Sequence, residues 1–198
     1  MKRNTDQLKE KLIQTGIEEI RKHGIEQFSL RTVAKACGVT HGSPYRHFES
    51  KEGYLRVVLA QLSLLLNQEV SQGIDPAASA RDQLAQLGFN FISFAQAYPH
   101  YFEALFIKFP FKYMKLTPET ILLESDLPGF DRFKTIVLQL RREEGFSNSE
   151  AESLFHFWSF ITGLAVLANS PIGQDLDTQA IQSTIDHMLD IYIKGERS

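Results

Sequence analysis

A single cysteine, Cys37, is all the thiol chemistry this 198-residue sequence possesses. One thiol closes no internal disulfide and builds no metal centre unaided, and such scarcity suits a reducing compartment. Long apolar runs are missing as well. The longest, Phe157 to Ala168, spans 12 residues and is interrupted by Ser159, Thr162 and Gly163, short of the roughly 20 that cross a bilayer. The first ten residues are polar and contain no signal-peptide core. The expectation is a cytoplasmic protein with no membrane partner. HExxH, a phosphate-binding loop and a serine nucleophile elbow are all absent, and His100 and His156 stand isolated on apolar segments. No catalytic residue, metal site or cofactor is therefore expected, and the chain does not read as an enzyme.

What is present is a globular composition, 43% hydrophobic and rich in phenylalanine, with an asymmetry inside its net charge of −3. Residues 1–56 hold 11 Lys/Arg against 7 Asp/Glu, whereas residues 57–198 hold 10 against 17. A basic end on an acidic body has the sign pattern of a nucleic-acid footprint, although a difference this small does not establish one.

Apolar residues recur with a period near 3.6 almost throughout, which predicts an all-α protein of nine or ten helices. Asn4 or Thr5 caps the first, whose inner face is Leu8, Leu12, Ile13, Ile17 and Ile20, and Gly24 ends it. Ser29 caps a second helix, Leu30 to Cys37, stopped by Gly38. Thr40 caps a third from His41 to Phe48, and Ser50 caps a fourth from Lys51 to about Ser71. Asp75-Pro76 and Pro99 open two more, reaching Tyr98 and Phe106. Lys108 to Leu116 reads as a loop, Thr117-Pro118-Glu119 as a helix start, and Leu127-Pro128-Gly129 as a break before a helix from Phe130 to Glu144. Ser147 to Glu150 has capping-box spacing ahead of a helix reaching Ala168, and a last helix covers Asp177 to Lys194.

The informative stretch is Ser29 to Lys51, SLRTVAKACGVTHGSPYRHFESK. Two short helices joined by a three-residue turn containing glycine make a helix-turn-helix by geometry. Val33, Ala34 and Cys37 face inward, Val39 plugs the turn, and Tyr45 with Phe48 anchors the second helix. Such a helix enters the major groove with its N-terminal residues at the base edges, here Thr40, His41, Gly42 and Ser43. Pro44 lacks an N–H and crowds the Thr40 carbonyl, which is tolerable only in a first turn and draws the helix start toward His41 or Gly42. Lys51 on the first turn of the fourth helix opposes the macrodipole, an objection that a nearby phosphate removes.

Glycine after the first helix, Val33-Ala34, Gly38-Val39, Tyr45, Phe48 and Lys51 together resemble the DNA-binding region of the TetR family over about 50 residues. That resemblance implies a three-helix DNA-binding domain over 1–50, a connecting helix over 51–74, and a helical-bundle regulatory and dimerisation domain over 75–198. It implies that Arg31, Thr40, His41, Gly42 and Ser43 approach DNA and that Tyr45, His47 and Lys51 sit mainly on phosphates. It further implies a homodimer on double-stranded DNA with a palindromic operator, repressing until a small apolar or amphipathic inducer releases it. The last two helices are the expected dimer surface, through Trp158, Ile161, Leu164, Ile181, Ile185, Met188 and Tyr192, because a helix apolar nearly all round must be buried on a second side. Phe94, Tyr98, Phe102, Phe106 and Trp158, with Phe109, Phe111 and Tyr113 beyond them, are the expected pocket aromatics, although aromatics at helical spacing are more often core. Trp158 to Gly163 resembles the family's Trp-His-Gly subgroup, with Thr162 in the histidine's place. The competing reading is a helical adaptor that binds protein without recognising an operator.

Overall fold

The computed structural model describes residues 2–108, 114–117, 119–123, 128–173 and 175–197. The chain divides into two compact units, residues 1–63 with 100–109 and residues 64–99 with 110–198.

In the first unit, α1 (Lys2–His23) ends at Gly24, whose φ of 73° is the left-handed cap that glycine adopts without penalty. Ser29 caps α2 (Leu30–Ala36) by accepting from the Thr32 N–H. A tight turn then leads to α3 (Ser43–Phe48) and to α4 (Lys51–Val70), which contributes residues to both units. Leu12, Ile20, Val33, Ala34 and Phe48 are buried together with Tyr54 and Val58 of α4. The unit is completed by α6 (Pro99–Phe102), whose residues from His100 onward belong to it, and a π-helical turn, Glu103–Lys108. His100 lies against Gly24, and the Lys108 ammonium pairs with the Glu26 carboxylate.

The second unit is built on α5 (Ala80–Ala97), which packs on α7 (Pro128–Glu144), α8 (Glu150–Ala168) and α9 (Thr178–Glu196). α5 starts four residues after the expected Pro76. Asp75 folds a turn instead, accepting from the Ala77 N–H at 2.9 Å, and Ser79 is the cap. The capping box likewise falls two residues late. The Ser149 hydroxyl accepts from the Glu152 N–H while the Glu152 carboxylate accepts from the Ser149 N–H. The Ser149 N–H and the Ser149 hydroxyl both donate to the Glu152 carboxylate and hold it below its ordinary range.

The expected helix at Thr117 is not formed. Strands β1 (Met114–Leu116) and β2 (Ile121–Leu123) pair antiparallel around a turn in which the Thr117 hydroxyl donates to the Thr120 carbonyl at 2.8 Å and accepts from the Thr120 N–H. Threonine satisfies its own backbone here, which competes with helix initiation. Residues 109–113 of the expected loop, and with them Phe109, Phe111 and Tyr113, lie outside the described residues, as does Leu127. Pro128 opens α7 rather than breaking a helix, the first-turn position where its missing N–H costs nothing.

Among the described residues α8 alone is long and apolar enough to cross a membrane, with 19 residues and a mean hydropathy of 1.3. Within its unit it is a core helix: Leu154, Phe157, Leu164 and Ala165 are buried against their neighbours. Arg81 of α5 ties α9 down, donating to Asp186 at 3.0 Å and Asp190 at 2.8 Å, which lowers the Asp190 pKa.

Candidate nucleic-acid interface

The helix-turn-helix is held from beneath by one side chain of α4. Tyr54 is fully buried, stacks on Phe28 at 5.7 Å between centroids, meets Phe48 edge-on at 4.9 Å, and donates its hydroxyl to the Leu12 carbonyl of α1 at 2.6 Å. One phenol thus touches α1, the loop before α2 and the end of α3. Burial pushes that phenol far above its ordinary pKa. Gly16 makes room for it on α1, since a Cβ there would overlap the hydroxyl and stand 2.8 Å from Cζ.

The turn between α2 and α3 depends on Gly38, whose φ of 75° lets the chain reverse while the Val39 N–H returns to the Ala34 carbonyl at 3.0 Å. Lys11 donates to the Cys37 carbonyl at 3.2 Å, a cation at the C-terminal end of α2. Cys37 is buried with its Sγ 3.2 Å from the Thr15 hydroxyl, so it acts as a small packed side chain.

α3 starts at Ser43, two residues later than the expected His41. Gly42 takes the cap position without a side-chain bond, Pro44 occupies the first turn, and a backbone bond from Ser43 N–H to Thr40 carbonyl at 2.9 Å encloses His41 and Gly42 in a separate turn. The physical reason is Pro44, which cannot donate to Thr40 and so ends the hydrogen-bond ladder on its N-terminal side. Pro44 and Phe48 point into the core, whereas Thr40, His41, Tyr45 and Arg46 are exposed and Gly42, Ser43 and His47 are half-buried. A Cβ on Gly42 would meet nothing within 4 Å, so internal packing imposes no small residue there. Tyr45, expected partly as an anchor, is 40% exposed, and the anchoring falls to Pro44 and Phe48. Arg31 is exposed on α2. Arg46 was not among the expected contacts, although a cation beside Tyr45 on a helix with two buried positions is legible in the sequence.

Lys51 is exposed but already engaged. Its ammonium donates to the Phe28 carbonyl at 3.4 Å and lies 5.7 Å from the centre of the Phe28 ring. Three N–H donors leave two for an anion. Lys51→Ala is expected to lower the unfolding free energy by about 1 kcal/mol through the lost bond and ring contact. If the free donors reach a phosphate, the dependence of log affinity on log salt should also flatten by about one. Denaturant unfolding and binding titrations at several salt concentrations read the two effects separately.

In the second unit the expected pocket and dimer residues are spread over several packing arrangements. Phe94 is buried against Tyr98, with ring centroids 5.3 Å apart, and Trp158 packs on Phe130 and Phe133 at 5.3 and 5.9 Å. Phe102 and Phe106 pair with each other at 5.3 Å in the first unit. An apolar cleft lies among α5, α7, α8 and α9, lined by Leu84, Gly88, Phe133, Phe160, Ile161 and Met188 among others. Leu164, Ile181 and Ile185 are buried within their own chain, which corrects their placement on an outer surface. Tyr192 packs on Phe146 and Phe157, and its hydroxyl accepts from the Asn148 amide at 2.6 Å. The reason is that α8 buries several sides within its own unit. The large apolar side chains these elements leave outside are Phe155, Val166, Leu167, Ile172 and Ile191.

A mainly helical chain with a buried aromatic anchor beneath two short helices joined by a glycine turn has the helix-turn-helix architecture. Residues 12–58 match the model of the bacterial regulatory proteins of the tetR family. The chain is 32% identical over 90 residues, 43% of its length, to the probable acrEF/envCD operon repressor of Escherichia coli (strain K12). That match covers 40% of the repressor, so the chain spans about two fifths of the length of the curated relatives it matches. Among solved structures, a protein of unknown function from Rhodococcus sp. RHA1 superposes with a TM-score of 0.70 at 20% identity, over 96% of each chain. A TetR-family transcriptional regulator of Haemophilus influenzae RD gives 0.63 at 18% identity, over 96% of this chain and 98% of that one. A TetR family transcription regulator from Marinobacter aquaeolei VT8 gives 0.64 at 16%, over 96% and 97%. The fold along the whole chain is TetR-like.

Proposed function

We propose that this chain is a TetR-family transcriptional regulator that represses from the cytoplasm by binding a palindromic operator as a homodimer. The observation that carries the reading is the two-sidedness of α3. Pro44 and Phe48 fasten it to the core while Tyr45 and Arg46 on its other side, and Thr40 and His41 in the turn before it, are exposed. Arg31 and Lys51 supply cations on neighbouring elements. The E. coli relative is named as a repressor, which supports that direction of control here. A second copy suits the outer faces of α8 and α9, where Phe155, Val166, Leu167 and Ile191 are 42–58% exposed. Release by an apolar ligand is supported by the cleft beside Gly88, and membership of the Trp-His-Gly subgroup by Trp158 and Gly163 alone.

Selection of random duplexes by the purified protein, with sequencing of the retained pool, tests this function. An inverted repeat is the expected product, with half-sites about 34–36 Å apart or a multiple of that, and affinity should fall steeply with salt. A folded dimer that enriches no sequence would leave the helical adaptor as the better reading.

A further inference from the structure

His41 is exposed just ahead of the helix read as facing the operator, and its backbone is not part of α3. It sits in the turn closed by the Ser43 N–H and Thr40 carbonyl, so no helical neighbour restricts its rotamer. Across that turn its ring meets the ring of Tyr45, with centroids 5.7 Å apart and planes inclined by 59°. Neither side chain has a hydrogen-bond partner among the described residues, and for both this is the sole ring contact there. Tyr45 differs from His41 in being on the helix, between the buried Pro44 and the turn that ends at buried Phe48. Its Cα–Cβ direction is therefore set by the core, and its ring forms a wall against which the imidazole rests.

We infer that Tyr45 is a positioning residue whose ring holds the His41 imidazole in the orientation that reads one base pair, so that Tyr45 sets sequence preference through His41. This rests on the reading of α3 as the operator-facing helix, and it assigns to Tyr45 a task beyond a phosphate contact. A phosphate contact needs the hydroxyl and is blind to sequence. A wall needs only the ring, and its loss is felt at one base position. Gly42 beside the pair presents no side chain, leaving the approach to the imidazole open.

The test is duplex selection with four variants, Tyr45→Phe, Tyr45→Ala, His41→Ala and the double alanine variant, compared with the unaltered full chain. Both rings are exposed, and matching thermal midpoints will confirm that all five proteins fold alike. His41→Ala should flatten one position of each half-site, a loss of roughly 5- to 100-fold in discrimination against the wrong base. Tyr45→Ala should flatten the same position, and the double variant should be no flatter than either single one. Tyr45→Phe should retain that position's preference, whatever uniform loss of affinity removal of the hydroxyl brings. The inference is overturned if Tyr45→Ala weakens all sequences evenly with the position intact, or if the two alanine variants flatten different positions. An unaltered chain that selects no sequence refutes the operator reading itself, and this inference with it.

Discussion

Gly16→Ala is expected to destabilise the protein by about 2–4 kcal/mol, against a typical total of about 5–15. An alanine in mid-helix ordinarily gains about 1 kcal/mol over glycine, so the sign of this prediction is opposite to what propensity alone dictates. The added methyl would occupy the place of the Tyr54 hydroxyl and crowd its ring. Tyr54 has nowhere to withdraw: Phe28 and Phe48 hold its faces and edges, and its hydroxyl is bonded to Leu12. Displacing it costs a buried hydrogen bond, about 1–3 kcal/mol, and overpacking of similar size. Because Tyr54 joins α1, the loop before α2 and the end of α3, operator binding should fall along with stability. Urea unfolding measures the effect, and Tyr54→Phe supplies the control. With the hydroxyl gone, the cost of Gly16→Ala should shrink measurably. A stability gain for Gly16→Ala alone would show that Tyr54 moves freely and that the anchor described above is not rigid.

Phe155→Glu combined with Ile191→Asp should turn the proposed dimer into a monomer and weaken operator binding about 100-fold or more. Both side chains are about half exposed on the outer faces of α8 and α9, so a free monomer accommodates carboxylates there at little cost. Within an interface the same carboxylates would be desolvated without partners, a penalty of several kcal/mol. A monomer then binds a half-site alone and forfeits the contacts of the second reader. Light scattering reports mass and a titration on the selected operator reports affinity, while an unchanged thermal midpoint of the monomer excludes misfolding. Persistence of the dimer would place the two-fold axis on another surface.

The helix-turn-helix was legible because its signals are local. Ser29 caps, Gly38 turns, and Val33, Ala34 and Phe48 bury at helical spacing, each within a few residues of the next. Pro44 was visible too, and its displacement of the helix start to Ser43 follows from one missing N–H. The second unit was legible only as helices. Periodicity marks Leu164, Ile181 and Ile185 as apolar, but it cannot say whether the neighbour that buries them is on the same chain or another. That depends on how α5, α7 and α9 surround α8, a long-range property. The hairpin at Thr117 escaped for a related reason: Thr-Pro-Glu is a good helix opening, and the hydroxyl that instead closes the turn onto Thr120 decides between two nearly equal local solutions.

The unit that carries the helix-turn-helix is not a contiguous piece of chain. Residues 100–109 belong to the same compact unit as α1 to α3, with His100 against Gly24 and Lys108 paired to Glu26. The backbone therefore leaves that unit within α4, returns at His100 and leaves again before Pro110. A chimera that transplants only residues 1–63 onto another regulatory body would deprive Glu26 of its cation and Gly24 of its covering ring. Modular exchange of specificity in this protein has to cut in three places, carrying the returning segment as part of the cargo.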